Sequence, residues 1–290
     1  MVISPNPNIS TDALKQRVLI GLPFYKSTNP VTTYCLMNLM DKRRTGVILR
    51  HGDAMIIHSR NAIVEEFLKS DFDWLLQVDD DMTLPFGNPA AYRAYLGFDI
   101  PEPFASFNTI TRLLSHGKSL VGGLYFGRAE NGTGAPMFAE GCNDPKEAEF
   151  ARKAPHDVCK PTAWVATGCL LAHRKVFLDI EKTFPNLARQ PDGTKGNWFT
   201  SSEHTLARDV KKTVDLLSSG PMTGEKAFKA YEMLTRAEAD ARNISGLGVG
   251  EDVIFSRRAA QSGHQPHVDL GLCLGHYGGR IWNGKNTRAK

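Results

Sequence analysis

The sequence predicts an α/β fold: a mixed, mainly parallel, doubly wound sheet flanked by helices, with a helical insertion. Three observations predict it. Short apolar runs at Arg17–Leu22, Val47–Leu49 and Trp74–Val78 alternate with stretches of helical periodicity. A strand, helix, strand order of this length favours right-handed crossovers and parallel neighbours. The third run ends abruptly in Asp79-Asp80-Asp81, and ligands of open α/β sheets gather at the carboxyl ends of strands.

Taken in order, residues 1–16 are rich in Pro, Asn and Ser and read as a loose lead-in. The run to Leu22 is a buried strand closed by Pro23, and Pro23-Phe24-Tyr25 lies on the ligand side of it. A helix is expected from Val31 to Met40, then the strand Val47–Leu49. Ser59 suits the N-cap of a next helix, with Ala62, Ile63, Glu66 and Phe67 on successive turns. Leu84–Phe104 reads as a long ordered loop, Phe107–His116 as a helix and Ser119–Gly123 as a strand. Residues 129–161 fit a surface excursion. Ala163–His173 reads as a strand interrupted at Thr167-Gly168, where a missing side chain permits a bulge or close approach of a ligand. Val176–Thr183 reads as a short helix.

Regular pattern is lost between Phe184 and Thr205. Helical periodicity returns over Leu206–Leu217 and Glu225–Arg242, with Phe228, Tyr231, Leu234 and Ala237 on one face. These helices form an insertion over about 184–245, beside the sheet. Gly246, Gly248 and Gly250 follow a polar segment and read as a mobile loop rather than a dinucleotide fingerprint. Glu251-Asp252 then opens a helix, where carboxylates also serve as caps. Val268–Leu270 and Leu272–Leu274 lead to Gly275-His276-Tyr277-Gly278-Gly279. The domain reading is 17–126 as one half of a single domain, 127–280 as the other, and 281–290 as a basic tail.

The chain has 290 residues, 41% hydrophobic and 23% charged, with net charge +4, as for an ordinary globular protein. Five scattered cysteines without a Cys-x-x-Cys pair argue for reduced thiols. No apolar run approaches a membrane span, and Met1–Gln16 has no signal core, so a cytoplasmic location is expected. The mild positive charge is compatible with a polyanionic partner without requiring one. Lys211-Lys212 and Arg257-Arg258 are candidate phosphate contacts, although such pairs also occur as solvated surface.

The chemistry-bearing residues sit at strand and helix ends. Three carboxylates at one strand terminus repel one another unless a cation or donors neutralise them. Asp79 and Asp81 can turn towards one hard divalent metal, which prefers oxygen. An acidic, solvated turn is the plain alternative. His276, held between glycines after an apolar segment, is a candidate ligand as much as a structural histidine.

In this order the motifs resemble those of the GT-A class of nucleotide-sugar glycosyltransferases, above all the inverting family 2 and its phage-encoded relatives. The matching stretches are Val18–Pro23, Ser59-Arg60-Asn61, Asp79–Met82, Ala166–Leu171, Gly250–Phe255 and Gly275–Gly278. The resemblance implies a GT-A, Rossmann-like fold. It implies an enzyme, a metal-dependent hexosyl- or pentosyltransferase moving a sugar from a nucleotide-sugar donor, expected to be a UDP-sugar, to an acceptor hydroxyl with inversion. It gives Asp79, Asp81 and His276 a divalent metal, Mn2+ in preference to Mg2+. It gives Pro23, Phe24, Tyr25, Arg60, Asp79, Asp80, Thr167 and Gly168 the nucleotide sugar, and Asp252, or else Glu251, the catalytic base. The acceptor is a modified DNA base, as for a phage enzyme in its host's cytoplasm, or a saccharide.

Two other readings stand beside it. Asp79-Asp80-Asp81-Met82-Thr83 fits the Asp-x-Asp-x-Thr pattern of haloacid-dehalogenase-type phosphatases, with the first Asp as nucleophile. Those enzymes carry it on their first strand, whereas two strand candidates precede it here. A non-catalytic sugar- or nucleotide-binding module is the other, and it would need no base at 251–252.

Overall fold

The computed structural model describes residues 15–51, 55–96, 107–127, 134–155, 157–187, 196–200, 202–243, 250–277 and 281–282. The expected glycine loop at 246–249, residues 1–14 of the lead-in, and 283–290 of the basic tail lie outside them.

The first half alternates as the apolar runs require. Strand β1 (Val18–Phe24), helix α1 (Pro30–Leu39), β2 (Thr45–His51), α2 (Ile56–Lys69) and β3 (Trp74–Val78) follow one another. Asn29 caps α1 by accepting from the Val31 N–H, and Pro30 supplies a helical φ at its first position. Gly21 of β1 lets α2 approach: a Cβ there would stand 2.4 Å from the Ile63 methyl. Ser59 is not the cap of α2, which starts earlier, at Ile56; its side chain is buried inside the helix.

Then come β4 (Met82–Thr83), α3 (Pro89–Leu96), α4 (Thr109–Ser115), β5 (Leu120–Leu124), α5 (Ala139–Asn143) and α6 (Pro145–Lys153). Strands β6 (Cys159–Pro161) and β7 (Cys169–His173) precede α7 (Arg174–Thr183), α8 (Ser202–Ser218) and α9 (Gly224–Asn243). Helix α10 (Glu251–Gln261) and strands β8 (His267–Cys273), β9 (Gly275–Tyr277) and β10 (Ile281–Trp282) close the order. None of the helices among the described residues is long and apolar enough to cross a membrane.

The main sheet has seven strands in the order β2-β1-β3-β7-β5-β8-β6, and a second sheet has the order β10-β9-β4. The expected mainly parallel, doubly wound GT-A sheet is corrected by the pairing. Three of the six neighbouring pairs in the main sheet are antiparallel (β3·β7, β5·β7 and β6·β8), and so are both pairs of the small sheet. The fold is a mixed α/β domain. The physical reason lies between β5 and β7. After Leu124, Phe126 bridges Pro136; after α5, α6 and β6 the chain comes back beside this segment, where Val165 bridges Phe138 just before β7. That contact starts β7 at the carboxyl end of β3, with Cys169 opposite Val78, so β7 runs against both of its neighbours.

Apolar side chains cover both sheet faces. Leu19, Ile63, Phe67, Leu75, Phe177 and Phe255 belong to the layer beside α2, α7 and α10; Ile20, Leu36, Leu76, Leu113 and Leu171 belong to the layer beside α1 and α4. Buried Asp269 of β8 is held by Arg112 (2.6 and 2.9 Å) and His116 (2.7 Å), and it accepts the N–H groups of Gly271 and Leu272. Burial pushes its carboxyl up, but those donors win and hold it below the usual carboxylate range.

Candidate functional site

The site forms where β1, β3, β4, β7, β9 and the start of α10 meet at the carboxyl edge. Gln77 and its neighbours are fully paired between β1 and β7, so Asp79 emerges at a fixed point. The Asp79 N–H donates to the Gly168 carbonyl (3.1 Å), which fastens the acidic turn to the Thr167-Gly168 break. The Thr32 hydroxyl of α1 sits 2.8 Å from the carbonyl oxygens of both Asp80 and Met82 and donates into that pair. The Met82 N–H closes the turn on the Asp79 carbonyl (3.3 Å). Three acidic residues are thus held in one backbone conformation.

The Ser59-Arg60-Asn61 stretch supplies the neutralising charge. Arg60 is 1% exposed, and its Nη2 donates to Asp79 Oδ1 at 2.6 Å. Its Nη1 lies 3.4 Å from Gln77 Oε1 and from the Thr167 carbonyl, and its Nε lies 3.7 Å from Glu251 Oε1. The guanidinium thus faces protein groups on several sides and ties the Asp79 turn to the start of α10. Its neighbour Asn61 accepts the Phe199 N–H (2.9 Å) and donates to the Phe199 carbonyl (2.8 Å). That contact lays Phe199 on Phe255, with ring centroids 4.3 Å apart.

His276 reaches the acidic turn through strand pairing, because Met82 of β4 stands opposite His276 of β9. Its Nδ1 lies 3.1 Å from the Phe126 carbonyl, which only accepts, so Nδ1 carries the proton and donates. The other nitrogen, Nε2, lies 3.3 Å from Asp81 Oδ2. A proton or a cation has to stand between that nitrogen and the carboxylate. A backbone carbonyl accepting from the far nitrogen commonly orients the ring of a metal-binding histidine.

The residues present would fit a metal in part. Asp81 and His276 converge, while an oxygen of Asp79 is engaged by Arg60. Among the described residues no group of three or more His, Cys, Asp or Glu side chains is arranged to hold an ion. A divalent ion held by Asp81 and His276 would complete its sphere with ligand oxygens and water, as hard cations at phosphate sites do.

Asp252 stands at the first turn of α10, behind Gly250, with its Oδ1 accepting the Val253 N–H at 2.8 Å. Burial first, then the Glu251 carboxylate beside it, pushes the Asp252 carboxyl up to about 6. A carboxyl titrating there can take a proton near neutral pH, which a carboxyl at its ordinary value does poorly.

Tyr125, absent from the sequence reading, lies between these groups. Its hydroxyl accepts the Gly168 N–H (3.2 Å), and its ring meets the His276 ring edge-on at 5.6 Å. Burial raises its phenol well above the ordinary value, and the charges of Asp79 and Asp252 add to this. Gly168 is required by the contact: a Cβ would lie 2.7 Å from the Tyr125 ring. A tyrosine directly after Val121-Gly122-Gly123-Leu124 was the available signal. Phe199 was also missed, its only mark being the aromatic pair Trp198-Phe199 in an otherwise polar stretch.

The remaining expected residues are placed as follows. Pro23 and Phe24 end β1, Phe24 sits 5.2 Å from the His51 ring, and Tyr25 is exposed beside Lys26. Asp80 is half-buried in the turn, and Thr167 is buried with its carbonyl towards Arg60. Arg258 is buried and donates to the Asn197 and Trp198 carbonyls, so it serves packing and not a phosphate. Lys211 and Lys212 are exposed.

No protein-family model and no curated protein matches the sequence. Among solved structures, the chain is similar to A197 from STIV, at 12% identity over 90% of this chain and 86% of that one, with a TM-score of 0.43. A likeness of that size fixes neither a fold family nor an activity.

Proposed function

We propose that the protein is a metal-dependent glycosyltransferase that moves a sugar from a nucleotide-sugar donor, a UDP-sugar, to an acceptor hydroxyl with inversion. The observation that carries the reading is the pairing of two different acid–base environments across one buried arginine. Two residues beyond Asp79, the partner of Arg60, Asp81 faces the Nε2 of a histidine whose tautomer is set by a backbone carbonyl. At the start of α10, Asp252 is held in a half-buried first turn with a raised carboxyl.

A binding module has no need of the second environment. A transferase needs both: charge stabilisation where the diphosphate departs, and a proton acceptor where the hydroxyl attacks. In this reading Asp81 and His276 would hold Mn2+, or less readily Mg2+, which would supply Lewis-acid stabilisation of the departing nucleoside diphosphate. Asp252 takes the acceptor proton, and Glu251 raises its basicity while staying tied to Arg60. Pro23 to Tyr25, at the adjacent end of β1, lie where the nucleotide would rest; Tyr125 fills the space that the missing side chain of Gly168 leaves, so Thr167-Gly168 shapes the site from behind. The acceptor is a saccharide or a modified DNA base; exposed Lys211 and Lys212 are the residues suited to the latter.

Thermal stabilisation by a panel of nucleotide sugars, with and without Mn2+, tests the reading. It requires a metal-dependent shift for at least one of them. A panel without any shift contradicts it.

A further inference from the structure

The two edges of the main sheet are not alike. At one end β6 is three residues long, contains Pro161 and carries Lys160 paired with Glu147. It has the shortness, proline and charge that protect a sheet edge from further pairing. At the other end β2 is seven residues long, Thr45-Gly46-Val47-Ile48-Leu49-Arg50-His51, and among the described residues it pairs only with β1. Its middle contains no charge, no proline and no inward-turned polar residue, and Leu49 is 57% exposed. Met40, at the end of α1 before the turn into β2, is exposed as well.

We infer that β2 is the pairing edge of a homodimer, in which two copies join their β2 strands antiparallel about a two-fold axis. The sequence of the strand specifies this occupant. An isologous interface must be complementary to itself, so each residue meets its counterpart across the axis. Centring the axis on Ile48 overlaps all seven residues. Ile48 then meets Ile48, Val47 meets Leu49, Gly46 meets Arg50 and Thr45 meets His51. The three apolar residues lie together in the middle, no like charges are opposed, and the arginine falls opposite the residue without a side chain.

Shifting the axis to Val47 would set Arg44 against Arg50 and leave His51 without a strand partner. Like charges directly opposite one another destabilise a sheet, and shifting the other way, to Leu49, would set Ile48 against Arg50 and Val47 against His51, so the Ile48-centred register keeps the most apolar pairs. Val47 and Leu49 share a sheet face, and pairing would remove the exposed part of Leu49 from water in both copies. The free backbone groups of the two edges would satisfy one another, which a flat apolar surface could not provide.

Sedimentation velocity of the full chain over a hundredfold concentration range tests this. The expected result is a species of twice the chain mass, and its loss in Leu49→Lys with an unchanged far-ultraviolet circular dichroism spectrum. Leu49 is exposed in the single chain, so this substitution leaves the monomer's core alone. Gly46→Glu is not a useful second variant, because a Cβ there would meet Phe72 at 2.7 Å; Arg50→Glu serves instead and should keep the dimer, since it faces Gly46. Tyr231→Lys, on the exposed face of α9, is the control and should remain dimeric. A monomeric wild type overturns the inference. So does a dimer that survives Leu49→Lys, or one that Tyr231→Lys breaks, which would move the interface to the α8–α9 pair.

Discussion

The guanidinium of Arg60 lies 2.6 Å from Asp79 and is 1% exposed, which makes the acidic turn and the interior of α2 one electrostatic unit. Removing one member of a buried pair leaves the other charged and unsolvated, and typically costs about 3–5 kcal/mol. Asp79 keeps some contact with water, so Arg60→Met should fall at the lower end, near ~3 kcal/mol. Arg60→Lys should recover only part, because an ammonium cannot face Asp79, Gln77, Thr167 and Glu251 at once. Urea unfolding of the two variants measures the difference.

Asp252 gives a pH signature with a definite sign. Its carboxyl titrates at about 6 in the folded chain, above the unfolded value of about 3.9. The protonated form is thus favoured by folding. The contribution to stability is full below about pH 4 and is lost as pH rises through about 6. Asp252→Asn should flatten the stability profile between those limits. In transfer assays the wild-type rate should rise as pH passes about 6, and Asp252→Asn should lower it by ~10²–10⁴-fold with donor affinity retained. Chemical denaturation across pH and single-turnover kinetics check the two statements separately.

The sequence shows some of this arrangement plainly and hides the rest for identifiable reasons. Trp74–Val78 is legible as a strand because it is buried on both faces and bounded by polar residues. The direction of β7 is not, since Cys169–His173 has the same apolar character whichever way it runs; its direction follows from the long-range bridge of Val165 to Phe138, which brings the chain to the carboxyl end of β3. Helices α3, α5 and α6 sit in stretches rich in Pro and Gly, where short helices leave little periodicity. Phe228, Tyr231 and Leu234 share a face as the spacing predicts, yet all three are exposed, while Ala230 is buried against the protein. Periodicity shows that a face exists without showing what it meets. At the site, the Asp79–Asp81 turn and Glu251-Asp252 were legible as charged residues at element ends. Tyr125 and Phe199 were not, because buried aromatics look alike in sequence whether they pack a core or line a site.

His276 and Asp81 predict a metal effect on folding. A ligand at a hundredfold excess over its dissociation constant adds about 2.7 kcal/mol to stability. Mn2+ together with a nucleoside diphosphate should give a shift of that order. Asp81→Asn and His276→Ala should each abolish it, whereas Asp80→Asn should not. Thermal unfolding with metal and chelator arms measures it.

Asp269 makes the opposite pH prediction from Asp252. Its carboxyl is held low by His116 and Arg112, so its contribution is present above about pH 4 and disappears as pH falls through the depressed value. Arg112→Met should strand the buried carboxylate and cost about 3–5 kcal/mol near neutrality, with part of the loss recovered in acid as Asp269 protonates. Equilibrium denaturation at two pH values reads both effects.

The most direct test of the transferase reading is release of nucleoside diphosphate from a nucleotide sugar by the purified chain, with Mn2+ and with chelator. Slow, Mn2+-dependent release that accelerates when a suitable acceptor is added is the expected result, with Asp81→Asn folded but inactive. Release of inorganic phosphate instead, or binding of the nucleotide sugar without turnover in the presence of acceptor, would contradict it.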